Sequence, residues 1–141
     1  MSAVVVDASV AVKWFLPEPY AQAARRVLAG RRTLLAPDLI WAEVGNVLWK
    51  RLQWAEITRD VAERILRDFR RFPLRTDAAK RLLEPAWALA AQWGVSVYDG
   101  LYLALAISRR CRLVTADRSL IEATKKAPFA SSIIWVEERI L

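Results

Sequence analysis

The chain contains no histidine and a single cysteine, Cys111. Without imidazole there can be no Ser-His-Asp or Cys-His triad, no imidazole acid–base pair and no histidine-ligated zinc. A lone cysteine excludes an internal disulfide and a cysteine-cluster zinc site. If the protein is a hydrolase, carboxylates must carry the chemistry. Carboxylates alone bind hard cations, so Mg²⁺ or Mn²⁺ is the metal this composition favours. Glycine is scarce, at four residues, and no glycine-, serine- or proline-rich linker or internal repeat is visible. No segment reads as a membrane span: the best candidate, residues 95–107, is too short and contains Asp99. The start, MSAVVVDASV, has no basic region and is interrupted by Asp7, so it does not read as a secretory signal. The cytoplasm is the expected compartment.

What is present points to one folded domain. The 141 residues are 55% hydrophobic, enough for a real core, and the expectation is a single domain over 1–141. Net charge is +7 and the pI is near 10.2, with arginine well ahead of lysine. That balance suits a polyanion such as RNA, because arginine forks onto phosphate. The arginines are scattered along the chain, which fits solvated helix faces equally well.

Strand and helix patterns alternate. Strands are expected at 3–6, 33–36, 73–76, 112–115 and 133–136, all short, most of them apolar and β-branched. Helices are expected at 8–16, stopped by Pro17, and at 18–28, ended by Gly30. Others run from Pro37-Asp38 to Leu52, from a Thr58 cap to Arg71, over 78–93 with a kink or break at Pro85, and over 98–109 and 118–126. This alternation predicts an α/β protein with a mostly parallel sheet covered on both faces. In such sheets the binding crevice lies at the carboxyl ends of the strands.

Four acids stand in apolar surroundings. Asp99 is the only charged residue between Glu84 and Arg109. Asp7 follows the strand AVVV, and Asp117 follows LVTA. Each of these aspartates precedes or opens a helix, so helix capping is the ordinary explanation for any one of them. Asp38, after Pro37, is assigned to capping outright. Glu43 lies inside a largely apolar helix, where capping does not apply; a salt bridge to Lys50 or a solvated face is its ordinary explanation. Ser9 and Thr115 sit two positions from Asp7 and Asp117 and can orient a carboxylate or a metal-bound water. Most of the seven tryptophans are expected in the core. A phospho-acceptor receiver is disfavoured, because the last strand is followed by Glu137 and Glu138 rather than a lysine.

Together VVVDAS, E-x-x-N-x-L from Glu43 to Leu48, YDGLYLALA from Tyr98 to Ala106 and LVTAD ending at Asp117 resemble a PIN-domain ribonuclease. The nearest subgroup is the VapC toxins of VapBC toxin–antitoxin pairs. The resemblance spans essentially the whole chain, with the motifs in order. It implies a three-layer α/β/α PIN-like domain and a Mg²⁺ or Mn²⁺ site formed by Asp7, Glu43, Asp99 and Asp117. Ser9, Asn46 and Thr115 fall at the supporting polar positions. Gly100 stands where alanine is common, a change expected to be sterically harmless.

The function implied is metal-dependent endonucleolytic hydrolysis of structured RNA, a tRNA or rRNA loop, by a homodimer held in check by a VapB-like antitoxin. The alternative is a catalytically inactive PIN-like module that binds RNA or protein. The antitoxin is expected to be a basic, amphipathic segment in a groove between the first and third helices, near Trp14, Phe15, Trp41 and Trp49.

Overall fold

The β-branched run Ala3–Val6 forms strand β1 at the centre of the sheet, with Val4, Val5 and Val6 almost wholly buried. Burial on both faces of the strand is what an all-apolar, non-alternating run predicts. In this computed structural model, which describes residues 2–140, β1 is flanked by β2 (Thr33–Pro37) and β4 (Arg112–Thr115). Beyond them lie β3 (Leu74–Asp77) and β5 (Ile133–Trp135), giving the order β3-β2-β1-β4-β5 with every pairing parallel. The edge strand β3 exposes Arg75 and Thr76, polar side chains that discourage pairing with another edge.

The chain steps outward from β1 to β2 to β3 and then returns to β4 and β5. The strand order therefore reverses between β1 and β4, which is where α/β sheets open a crevice for ligands. Among the described residues seven α-helices flank the sheet: α1 (Ala8–Ala11), α2 (Ala21–Ala29), α3 (Leu39–Gln53), α4 (Arg59–Arg70), α5 (Ala79–Trp93), α6 (Val97–Arg109) and α7 (Arg118–Thr124). The right-handed rule for parallel crossovers, applied to this strand order, assigns the helices before β3 to one face and those after it to the other. The fold class expected from the pattern is the one observed. No helix among the described residues is long and apolar enough to cross a membrane.

Several local expectations change. The helix expected over 8–16 tightens after Ala11 into a 3₁₀ turn at Val12–Trp14. The next helix begins at Ala21 rather than 18, because a residue before proline, as Glu18 is before Pro19, is disfavoured in helical geometry and Tyr20 turns in with a left-handed φ of 67°. Pro85 neither breaks nor divides α5, which runs unbroken through it. Packing explains the tolerance: α5 lies along α6, whose residues 100–106 are all buried. Asp38 makes no cap contact with its own helix; its Oδ1 accepts from the Ala79 N–H at 3.0 Å and so caps α5 instead.

Gly100 is not sterically idle either. A Cβ there would lie 2.4 Å from the backbone oxygen of Ala86, so α6 and α5 meet backbone to backbone at this point. The tryptophans are less buried than expected: Trp14 and Trp135 are core, whereas Trp49, Trp54 and Trp87 are more than half exposed. Trp14 stacks on Phe72 at 4.8 Å, and Phe15 meets Phe69 and Phe72 edge-on. These contacts turn the aromatics of the first helical segment inward, so they do not line an open groove with α3.

Candidate active site

Val6 of β1 is level with Val114 of β4, so both strands end at the same edge. Asp7 is the residue after β1 and Asp117 lies two beyond β4. Asp7 is 6% exposed and accepts three hydrogen bonds. Its Oδ1 accepts from Ser9 Oγ at 2.5 Å and from the Val10 N–H at 3.2 Å, and its Oδ2 accepts from Thr115 Oγ1 at 2.5 Å. Asp7 is therefore a helix cap as well as a candidate site residue. Of about four lone-pair positions on a carboxylate, three are engaged, which leaves one for a further ligand.

The two hydroxyls also knit the edge together. Ser9 Oγ accepts from the Ala116 N–H and Thr115 Oγ1 from the Asp117 N–H, both at 3.0 Å. Asp117 caps α7, accepting from the Ser119 N–H at 3.0 Å and Ser119 Oγ at 2.6 Å. Asp99 is not a cap: Ser96 takes that role by accepting from the Asp99 N–H at 3.0 Å. That frees the Asp99 carboxylate in the first turn of α6. Glu43, from α3, makes no salt bridge to Lys50; its Oε1 accepts from the Tyr102 hydroxyl at 2.5 Å. Asn46, one turn further, is exposed and among the described residues bonds to none of the acids.

Electrostatics ties the four acids into one cluster with Asp99 at its centre. Burial pushes the Asp7 carboxyl up to about 6, against the bonds from Ser9, Thr115 and Val10, and the charge of Asp99 adds to the rise. Burial also raises Glu43, with Asp99 contributing and the Tyr102 bond opposing. Asp99 is raised by burial and then by Asp117, partly countered by Ser96. Such an all-oxygen, mutually repelling set suits a hard divalent cation, which relieves both the repulsion and the cost of burial. Among the described residues no three acid or cysteine side chains stand close enough to enclose an ion as placed. Asp7 and Asp117 instead engage hydroxyls and backbone N–H groups, and Glu43 a hydroxyl, as like charges with better partners do.

Tyr102, Ser96 and Ser119 carry contacts that sequence reasoning did not assign. For Ser96 the signal was present, since Ser-x-x-Asp is a capping-box pattern. For Tyr102, nothing in an apolar helical run marks its hydroxyl as a carboxylate donor.

Comparison with known proteins agrees with this fold. A family profile described as PIN domain matches residues 4–126. Ribonuclease VapC3 of Pyrobaculum aerophilum is 36% identical over 120 residues, covering 84% of this chain and 92% of that protein. The chain belongs to the PIN-domain family, among its VapC ribonucleases. A crystal structure of a Pyrobaculum aerophilum protein superposes with a TM-score of 0.67 at 29% identity, covering 96% of this chain and 90% of that one. VapBC2 of Rickettsia felis, solved with a promoter DNA fragment, shares the fold: the TM-score is 0.60 at 15% identity, over 94% of this chain and 96% of that one. The carboxyl edge of this PIN domain is thus built from the motifs that carried the resemblance.

Proposed function

We propose that this PIN domain, spanning 1–141, is a Mg²⁺- or Mn²⁺-dependent endoribonuclease toxin acting in the cytoplasm. Its substrate is a structured tRNA or rRNA loop, and its activity is restrained by a VapB-like antitoxin. The observation that carries the reading is the coupled cluster of Asp7, Glu43, Asp99 and Asp117 where the strand order reverses. In this reading Asp7, Asp99 and Asp117 hold the metal, with Glu43 as the fourth ligand. When bound, the ion lowers the pKa of water and polarises the phosphoryl group. Ser9 and Thr115 lock the Asp7 carboxylate in one rotamer and keep it turned to the edge. Tyr102 does the same for Glu43.

The test is cleavage of structured RNA by purified protein with and without EDTA. Cleavage that requires Mg²⁺ or Mn²⁺ and disappears in Asp7→Asn supports the reading. Undiminished cleavage in EDTA overturns the metal assignment. The alternative, an inactive PIN-like module binding RNA or protein, is disfavoured by the presence of all four acids. It gains if the protein binds RNA but leaves it intact in Mn²⁺.

The antitoxin proposal draws support from the toxin–antitoxin fold relative in Rickettsia felis. Its seat is shifted from the expected groove between the first and third helices to the cleft between α3 and α4, about 420 Å³ in volume and lined by Trp41, Leu66, Phe69 and Arg70. A homodimer is proposed alongside it. Leu66→Asp is expected to weaken antitoxin capture at least tenfold while RNA cleavage persists; normal capture would place the seat elsewhere.

A further inference from the structure

Arg118 directly follows Asp117, and its guanidinium lies over the Trp135 ring, 3.9 Å from the ring centroid. Trp135 ends β5 level with Thr115 of β4, the residue that holds Asp7. The indole is itself fixed. It is 6% exposed, its Nε1–H donates to Glu137 Oε1 at 2.9 Å, and the Tyr20 ring meets it edge-on at 5.0 Å. Tyr20 is the residue whose left-handed backbone brings α2 into place, so this buttress is built at some conformational cost.

Arg118 itself is exposed, and among the described residues no carboxylate lies within ion-pair distance of it. Asp117 turns to Ser119. Glu122, one turn along α7, feels the field of Arg118 but bonds to Lys125. The result is a free cation, held over an aromatic platform, at the border of an otherwise acidic edge.

We propose that Arg118, ordered by Trp135, grips a backbone phosphate of the RNA beside the carboxylate cluster. This rests on the ribonuclease reading above. The ring attracts the guanidinium without using any of its N–H donors, which leaves the planar fork available to meet a phosphate with two bonds. A side chain already ordered loses less entropy when it binds. The position answers an electrostatic need as well. Four carboxylates repel a polyanion, and a fixed positive charge at their border offsets that repulsion where the strand must enter.

The experiment measures binding of a fluorescent structured RNA by anisotropy in EDTA, across a KCl series, so that affinity is read apart from cleavage. Arg118→Gln is expected to weaken binding about tenfold, as loss of a charge-assisted contact does. It should also flatten the log–log salt dependence by about 0.7, the share of one single-strand phosphate. Arg118→Lys keeps the charge and the salt slope but loses part of the affinity with the planar fork. Arg67→Gln, on the exposed side of α4, removes equal charge and should match wild type in slope. In Mn²⁺, Arg118→Gln should raise KM more than it lowers kcat.

An unchanged slope and affinity in Arg118→Gln would overturn the proposal. So would an equal loss in Arg67→Gln, which would mean diffuse attraction, or a lowered melting temperature with unaltered binding, which would make the stack a fastening for α7. Wild-type protein that neither binds nor cleaves RNA would bring down the ribonuclease reading and this inference together. Wild-type cleavage with unaltered Arg118→Gln kinetics would remove this inference alone.

Discussion

The Tyr102 hydroxyl donates to Glu43 Oε1 at 2.5 Å, joining residues 59 positions apart in the chain. The phenol is buried in α6 at 2% exposure, whereas Glu43 is only half-buried on α3. Burial and the adjacent Glu43 charge both push the phenol's ionisation upward, so it remains a neutral donor at every working pH. The bond therefore has a fixed direction, and it sets where the Glu43 carboxylate points.

Tyr102→Phe keeps the ring and deletes that donor. A loss of about 1 kcal/mol in stability is expected, typical of a hydrogen bond to a partner that water can still reach. Glu43 should become harder to ionise, because the bond is what opposes the effect of burial. Urea denaturation gives the first quantity and carboxyl NMR titration the second. A Glu43 titration that shifts downward in the variant would contradict the assignment.

Gly100→Ala tests the contact between α5 and α6. The new methyl would meet the Ala86 backbone oxygen at 2.4 Å, and backbone cannot swing aside as a side-chain tip does. The helix gain from alanine is about 1 kcal/mol, and the overpacking cost is about 1–3 kcal/mol, so net destabilisation is expected. The displacement also reaches Asp99, the preceding residue and the electrostatic centre of the site. Thermal melting measures the first effect and Mn²⁺ affinity the second. A more stable variant would show that the helices separate freely here.

Asp7 and Asp117 were legible because a short apolar strand ending in aspartate states both the element and the edge on which the acid falls. Asp99 was legible as an isolated charge, and the capping that was its ordinary explanation falls instead to Ser96, two residues before the expected helix start. The Gly100 contact was invisible because it depends on how closely two helices approach, which local pattern does not encode. The same holds for Pro85, whose tolerance follows from packing along α6. Asp38 shows the limit most clearly: an aspartate after proline looked like a local cap, yet it serves a helix 41 positions away. The Glu43–Tyr102 bond belongs to the same class of long-range fact.

Asp38→Ala separates these two kinds of cap. Its loss should cost about 1 kcal/mol, as for other helix N-caps, but the fraying should appear in α5 rather than α3. Hydrogen exchange at the first turn of α5 is the measurement. Faster exchange confined to the first turn of α3 would restore the local reading.

The pH dependence of stability in EDTA follows from Asp7. Its folded pKa is near 6, above the ordinary value of 3.8, because burial disfavours the charge. Between those values the folded state binds more protons than the unfolded chain, so stability falls as pH rises from about 4 to about 6. The full loss is on the order of 3 kcal/mol and persists above that window. A divalent cation should recover much of it at pH 7.5 and little at pH 4.5, where the carboxyl is protonated. Asp7→Asn removes the buried charge but keeps the shape. It should flatten the metal-free profile, melt higher than wild type at pH 8 in EDTA, and lose both cleavage and the thermal shift caused by Mn²⁺. Stability at this residue is thus opposed to its proposed chemistry, the usual sign of a group kept for function. Parallel pH profiles for wild type and Asp7→Asn would show that the buried carboxylate is not the source of the titration.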